Sequence, residues 1–257
     1  MALKLKLLSK FPYSAKATIL LLLSVVFFFA ADSASAQRRF SKSYAAASNV
    51  RLELTNRSGT VTVEGWNRPQ VQVSAYLDAP AAVLLPRIDG GSITINVVKD
   101  NQGRDEVGDV NFTIRVPYTS TVDIETRMGN LSVSSVRGAS VRAHVSSEGD
   151  ITLTNIGASA VSAQNGIGNI FFDGDIQAGG NYRFASLRGD INLRVPLNSS
   201  FRLVATAPST RNISLGPFSN PNIALISDGR RVMGRFGDGN ASVTVTNQRG
   251  GIQFIRR

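Results

Sequence analysis

From residue 49 onward, apolar residues recur at every second position of this chain. Val61 and Val63 alternate with Thr60 and Thr62; Val71 and Val73 with Gln70 and Gln72; Ile93, Ile95 and Val97 with Ser92, Thr94 and Asn96. The same alternation returns at Val122/Ile124, Val141/Ala143/Val145, Ile151/Leu153, Ile191/Leu193, Phe201/Leu203/Ala205, Val243/Val245 and Ile252/Phe254. A period of two is that of a strand with one face buried, and no window after residue 36 has a helical period. Ser and Thr fill the outward positions while Gly, Asn and Asp fill the breaks, which is strand-and-turn chemistry.

The breaks themselves repeat. Gly129-Asn130-Leu131-Ser132-Val133, Gly149-Asp150-Ile151-Thr152-Leu153, Gly168-Asn169-Ile170-Phe171-Phe172 and Gly189-Asp190-Ile191-Asn192-Leu193 align, with glycines 20, 19 and 21 residues apart. Gly59-Thr60-Val61-Thr62-Val63 has the same form near the start, and Gly239-Asn240-Ala241-Ser242-Val243 is a weaker copy near the end. Each unit reads as a strand, a Gly-Asx turn, a second strand and a looser return. Two short strands cannot bury an apolar face alone, so successive units must stack. The expected fold is all-β, a repeat-built β-solenoid-like stack of short strands, with a Greek-key β-sandwich as the alternative. Lys99–Asp109 reads as a solvated charged loop, and residues 207–240, broken by Pro208, Pro217 and Pro221, as an atypical cap.

The N-terminus follows a different rule. Lys4, Lys6, Lys10 and Lys16 precede an apolar run from Ile19 to Ala31, and Ala34-Ser35-Ala36 precedes Gln37. This is the layout of a secretory signal peptide cleaved after Ala36, and the run is shorter than the roughly 20 residues of a spanning helix. The expected organisation is a signal peptide at 1–36, an N-terminal β region at 37–118, and the 20-residue repeats with their cap at 119–257. Loss of Lys4, Lys6, Lys10, Lys16 and Asp32 lowers the formal charge from +10 to +7. The remaining basic residues are arginines apart from Lys42 and Lys99, and they are dispersed between acids. A dispersed positive field suits anionic cell-envelope glycans or lipid head groups as partners; nucleic acid is not expected, and the oligomeric state is not specified.

Several chemistries are excluded early. There is no cysteine and only one histidine, His144, which removes thiolate chemistry, sulfur-ligated zinc and His-based triads. Asp173-Gly174-Asp175 with Asp150, Asp190 and Asp238 could suggest calcium between stacked turns, but acids about 20 residues apart are too sparse for that motif. Arg188-Gly189-Asp190 spells an integrin-recognition tripeptide at a place where the repeat already puts Gly-Asp. The Asn-x-Ser/Thr triplets at Asn56, Asn111, Asn130, Asn198, Asn212 and Asn240 follow from Asn in turns and Ser/Thr in strands. His144 shares a face with Arg142 and should point to solvent without an acid partner. Trp66 should anchor the first sheet, and Tyr118, Tyr182 and Phe184 should be core or edge residues. The only acids that could converge are Asp123 and Glu125 on one strand with Glu148 and Asp150 at the next turn, flanked by Arg127, Arg137 and Arg142.

The segments Val63–Val73, Arg115–Thr126 followed by Gly129-Asn130, and the serial Gly-Asp-Ile turns resemble the bacterial putative-adhesin family of exported β-strand-repeat proteins, over roughly residues 48–257. The resemblance implies export, a β-solenoid-like stack and an unassigned molecular function, with no catalytic residue to carry over. The family's Gly-Asp turns match at Gly149-Asp150 and Gly189-Asp190, and Asn stands for Asp at 130, 169 and 240, which weakens a calcium reading. No catalytic, cofactor-binding or metal-ligating residue is assigned. The expectation is a non-enzymatic exported adhesin or cell-envelope binding or structural module; the alternative is a polysaccharide lyase or hydrolase on the same scaffold. Converging carboxylates in a groove would favour the enzyme, and a flat Ser/Thr/Arg face the module.

Overall fold

In the computed structural model, residues 38–219, 224–225 and 229–257 are described; the expected signal peptide falls outside them. In chain order the strands are β1 (Arg38–Ala45), β2 (Arg51–Asn56), β3 (Val61–Trp66), β4 (Gln70–Leu77), β5 (Arg87–Asp89), β6 (Ser92–Asn96) and β7 (Val110–Pro117). A single helical turn, α1 (Val97–Asp100), follows β6. Four strand pairs come next: β8 (Thr121–Met128) with β9 (Leu131–Ser134), β10 (Ser140–Glu148) with β11 (Ile151–Ile156), β12 (Ala160–Ile167) with β13 (Ile170–Gly174), and β14 (Asn181–Arg188) with β15 (Ile191–Val195). The chain ends with β16 (Phe201–Thr206), β17 (Ile213–Ser214), β18 (Ala224–Leu225), β19 (Arg231–Phe236), β20 (Ala241–Asn247) and β21 (Ile252–Arg256).

Each pair is one coil: a strand in sheet 1, a sharp Gly-Asx turn, and a strand in sheet 2. Sheet 1 has eleven strands in the order β18-β19-β16-β20-β14-β12-β10-β8-β2-β6-β5, and sheet 2 has ten in the order β1-β4-β7-β3-β9-β11-β13-β15-β21-β17. Coils stack through parallel pairing in strict register, Val141 against Val122 and Val161, and Ile151 against Leu131 and Ile170. This is the β-solenoid-like stack, and its parallel ladders set it apart from the Greek-key sandwich, whose sheets are antiparallel. The period-two pattern explains the register, because a one-residue slip would turn every inward Val, Ile and Leu to solvent. One continuous core runs from Val50 to Phe254 between the sheets. Residues 37–257 form one compact unit by themselves.

Coil order in space departs from order in sequence at both ends. The β2–β3 coil sits between β6–β7 and β8–β9, and the β20–β21 coil inserts between β14–β15 and β16–β17. Gly239-Asn240 is therefore not a copy of the repeat turn; it belongs to the connection from β19 into β20. Gly250 occupies the turn position of that coil, and a Cβ on it would sit 2.0 Å from the Gly189 carbonyl oxygen. The stretch expected as a solvated loop at Lys99–Asp109 begins inside α1, and Asn101 is buried, bonding Val83 N and O and Val97 O. Antiparallel strands close the stack, β4 and β1 at one end and β19 at the other. At the β19 end Phe201, Phe218, Phe236 and Phe254 pack with ring centroids 4.7 to 6.2 Å apart.

Candidate functional site

The repeated turns form a column held by two polar ladders. On the outside, Asn130 Oδ1 accepts from Asp150 N (3.0 Å), Asp150 Oδ1 from Asn169 N (2.6 Å), Asn169 Oδ1 from Asp190 N (2.8 Å) and Asp190 Oδ1 from Gly251 N (2.7 Å). Only a side-chain oxygen is used, which is why Asn and Asp interchange along the column. On the inside, Asn56, Thr126, Asn165, Ser186 and Asn247 occupy core-facing positions and donate to turn carbonyls. Their sequence signal is a polar residue three before each glycine, unlike the apolar residue that the alternation predicts.

These ladders account for several candidate motifs. Asp190 of Arg188-Gly189-Asp190 is a rung of the outer ladder. Asp150 is another, and Asp173 and Asp175 bind arginines instead: Arg194 Nη2 lies 2.6 Å from Asp173 Oδ2, Arg257 Nε 3.3 Å from Asp173 Oδ1, and Arg257 Nη1 2.7 Å from Asp175 Oδ1. Among the described residues no three His, Asp or Glu side chains converge as a metal site. Of the Asn-x-Ser/Thr triplets, Asn56 is buried and Asn130 is engaged in the ladder.

The four candidate acids do not converge. Asp123 and Glu125 project from β8 on the outer face of sheet 1, whereas Glu148 and Asp150 lie at the turn column, with Glu148 between Met128 and Ile167 in register. Arg142 Nη1 donates to Asp123 Oδ1 at 2.8 Å and lies 4.0 Å from Glu125 Oε2; Arg51 Nε donates to Glu53 Oε1 at 2.6 Å and its Nη2 lies 3.8 Å from Asp123. Of the three expected flanking arginines, only Arg142 pairs with these acids. His144 stands on the outward row as expected, with Glu125 opposite it in register; Glu125 Oε1 lies 3.9 Å from Nδ1, beyond hydrogen-bond distance.

The aromatic candidates divide. Tyr182 and Phe184 are core residues, and the Tyr182 hydroxyl accepts from Gln177 N and donates to Ala158 O. Tyr118 is exposed. Trp66 is half-buried at the end of β3, its indole N–H donating to Gln70 O, with Arg68 and Arg115 5.0 and 5.8 Å from the ring centroid.

The outer face of sheet 1 has the most distinctive chemistry. Its acids are Asp89 on β5, Glu53 on β2, and Asp123 and Glu125 on β8. From β10 to β19 the outward rows carry Arg142, Arg183, Arg202, Arg231 and Arg235, and the one acid on these strands among the described residues is Glu148, at the turn end of β10. Arg202 Nε donates to Gly239 O and Arg235 Nη2 to Asp238 O, both carbonyls of the β19–β20 connection. Arg183 makes no ion pair among the described residues. A shallow trough of about 520 Å³ lies on this face, lined by Ser140, Ser162, Ser242 and Thr244, by Arg142 and Arg183, and by Asp123, the ion-pair partner of Arg142. The trough exists because small side chains on β12 separate two long ones on β10 and β14. On sheet 2, by contrast, Arg115 pairs with Glu64 and Arg194 with Asp173.

The profile of the family described as Toastrack DUF4097 matches residues 49–195. Among solved structures, the chain is similar to a putative cell adhesion protein from Clostridium sporogenes ATCC 15579, at 11% identity and a TM-score of 0.49, over 86% of this chain and 100% of that one. It is also similar to a putative adhesin from Bacteroides fragilis NCTC 9343 (11% identity, TM-score 0.32, 86% and 99% covered). A putative lipid binding protein from Parabacteroides distasonis ATCC 8503 gives 10% identity and a TM-score of 0.38, with 85% and 97% covered. No curated protein matches the sequence.

Proposed function

The chain belongs to the Toastrack DUF4097 family, and from that premise we propose that it is an exported, non-enzymatic module that binds anionic cell-envelope glycans through its surface. The observation that carries this reading is the separation of charge on sheet 1. Asp123 is tied to Arg142 and Glu53 to Arg51, while Arg183, Arg202, Arg231 and Arg235, on β14 to β19, make no ion pair among the described residues. A general acid or base must have an oxygen within hydrogen-bond reach of the substrate, and the oxygens of Asp123 and Glu53 are engaged by arginine instead. A hydroxyl-lined face with fixed guanidinium groups suits many charge-assisted hydrogen bonds to an acidic polymer.

Export is supported by the basic n-region, the apolar run and Ala34-Ser35-Ala36. Among the described residues no helix is long and apolar enough to cross a membrane. We place the start of the exported chain at Gln37, with residues 37–118 and 119–257 as successive parts of one stack.

The test uses the chain from Gln37 onward, which carries the whole described core. Its retention on immobilised acidic polysaccharides, peptidoglycan and lipopolysaccharide is measured at low and high salt, with analysis of each polymer for cleavage products. Saturable binding that weakens with salt and leaves the polymer intact is expected. Absence of binding, or release of shortened polymer, overturns the proposal.

A further inference from the structure

Where α1 leaves sheet 1, three other arginines line one cavity. β2 and β8 pair in parallel as far as Asn56 and Thr126, but β6 stops pairing with β2 at Asn96, opposite Thr55. The chain then turns into α1 and a loop before it re-enters the stack as β7. A cavity of about 390 Å³ lies between the ends of β2 and β8 and that loop, lined by Arg57, Arg127 and Arg104 and by Val97, Val98 and Val107. Arg57 and Arg127 directly follow the buried Asn56 and Thr126, so alternation turns both outward. Met128 N donates to Arg57 O at 3.2 Å, which keeps the two arginines side by side beyond the paired strands. Arg104 comes from the loop, where its N donates to Asn101 O at 3.2 Å and its Nη1 to Ala81 O at 2.8 Å. Buried Asn101, bonded to Val83 and Val97, fixes the loop that carries it.

No acid lines this cavity. Arg57, Arg104 and Arg127 make no ion pair among the described residues. Asp105 and Glu106 follow Arg104 along the loop without pairing with it. Glu125, two residues before Arg127, lies toward β10 instead, 4.0 Å from Arg142 and 3.9 Å from His144. Like charges side by side on adjacent strands are destabilising, and the fold supplies nothing to offset this pair.

We propose that the cavity binds a phosphate monoester, either a free sugar phosphate or the head group of a lipid, with the phosphate held by Arg57, Arg104 and Arg127. A phosphate monoester carries nearly two negative charges at neutral pH and three terminal oxygens, so each of three guanidinium forks finds an acceptor. A carboxylate offers one charge and two oxygens and leaves one arginine unanswered. Val98, 51% exposed, stands with Val97 and Val107 as an apolar wall for the carbon skeleton of the ligand. The volume is that of a site for a small molecule, with few polar groups against an apolar lining. This site is separate from the arginines of β10 to β19 and does not rest on the glycan-binding reading.

The test titrates the chain from Gln37 onward, by calorimetry, with glucose 6-phosphate, glucuronate and glucose, and with phosphatidylcholine vesicles that contain or lack phosphatidic acid. A phosphate source should bind saturably; for the soluble ester this means one molecule per chain, about tenfold or more tighter than glucuronate, with no binding of glucose. Arg57→Ala, Arg104→Ala and Arg127→Ala should each weaken binding about tenfold or more, the loss of one charge-assisted pair. Arg256→Ala, at the exposed end of β21, should leave it unchanged. Thermal unfolding adds a readout that a merely structural role would not give. Without ligand, Arg57→Ala should raise Tm by relieving the repulsion, and saturating ligand should raise the Tm of the unsubstituted chain but not of the variant. Preference for glucose 6-phosphate assigns a soluble ester, and preference for phosphatidic acid vesicles a lipid head group. Glucuronate binding as tightly as either phosphate source, binding that survives all three substitutions, an equal loss from Arg256→Ala, or no binding of either source overturns the proposal. None of these outcomes bears on retention by acidic polysaccharides, which is measured separately.

Discussion

Replacing Gly168 by alanine tests the turn column directly. Gly168 has φ of +134°, and a Cβ there would lie 2.3 Å from the Gly149 carbonyl oxygen. Relief requires adjacent coils to part by about an ångström where they are most tightly joined. Gly168 N donates to Arg188 O (2.8 Å), Gly149 N to Ile167 O (2.8 Å) and Asn169 N to Asp150 Oδ1 (2.6 Å). An L-residue held at that φ costs roughly 1–3 kcal/mol. Weakening two of the three bonds adds about 1 kcal/mol each. The expected loss is about 4 kcal/mol, or roughly 8–16 °C in Tm for a unit of this size. Gly179→Ala is the matched control, because Gly179 also has positive φ, +72°, but nothing lies within 4 Å of its would-be Cβ. It should lose only about 1 kcal/mol, the left-handed penalty alone. Thermal and urea unfolding followed by circular dichroism give both values. Equal losses would show that close coil stacking at the column contributes nothing beyond backbone conformation.

Burial raises the Tyr182 phenol above its usual value, with the Asp175 charge adding to the rise and the Gln177 N–H opposing it. A folded-state value above the unfolded one means that this contribution to stability is complete below about pH 10 and is lost as pH rises through the raised value. Tyr182→Phe should cost about 2 kcal/mol at neutral pH by stranding the Gln177 N–H and Ala158 carbonyl, and the gap to the unsubstituted chain should narrow above pH 10; a constant gap in urea midpoints would contradict this. Asp173→Ala leaves Arg194 and Arg257 without their shared carboxylate, and since both arginines are partly exposed the expected loss is about 1–2 kcal/mol, with Asp173→Asn recovering part of it in the same unfolding assay. Lys42 is exposed on the row of β1 that pairs with buried Val73, at the edge of sheet 2 among the described residues. Charges of this kind protect edges from pairing, so Lys42→Val should raise the dimer fraction by light scattering, and an unchanged mass would show that the charge has no such role.

Much of the architecture was legible because it follows from local periods. Alternation at Val141/Ala143/Val145 and Ile151/Leu153 specifies which side chains enter the core, and the Gly-Asx breaks specify where each coil turns. The inner ladder was legible too: Asn56, Thr126, Asn165, Ser186 and Asn247 each stand three residues before a column glycine. Alternation alone does not predict it, because a polar residue at an inward position breaks the pattern it sits in. The insertion of β20–β21 was not legible. Gly239-Asn240 and Gly250-Gly251 are both credible turns, and periodicity says which face is buried without saying which strand lies alongside. That choice belongs to long-range packing, with Phe254 of β21 meeting Phe201 and Phe218.

By itself, then, the sequence determined an all-β chain of stacked coils, its turn chemistry, and the absence of thiol and His-based sites, since these depend on residue types and spacings within some twenty positions. Tertiary structure alone decided the candidate surface. Arg142, Arg183, Arg202, Arg231 and Arg235 are scattered between acids along the chain; parallel stacking of the coils, with antiparallel β19 added beside β16, brings them onto one face. The same stacking sets Asp123 and Glu125 against Arg142 and His144 across neighbouring strands. Charge proximity between coils depends on cross-strand register, and register is set by how the whole core closes.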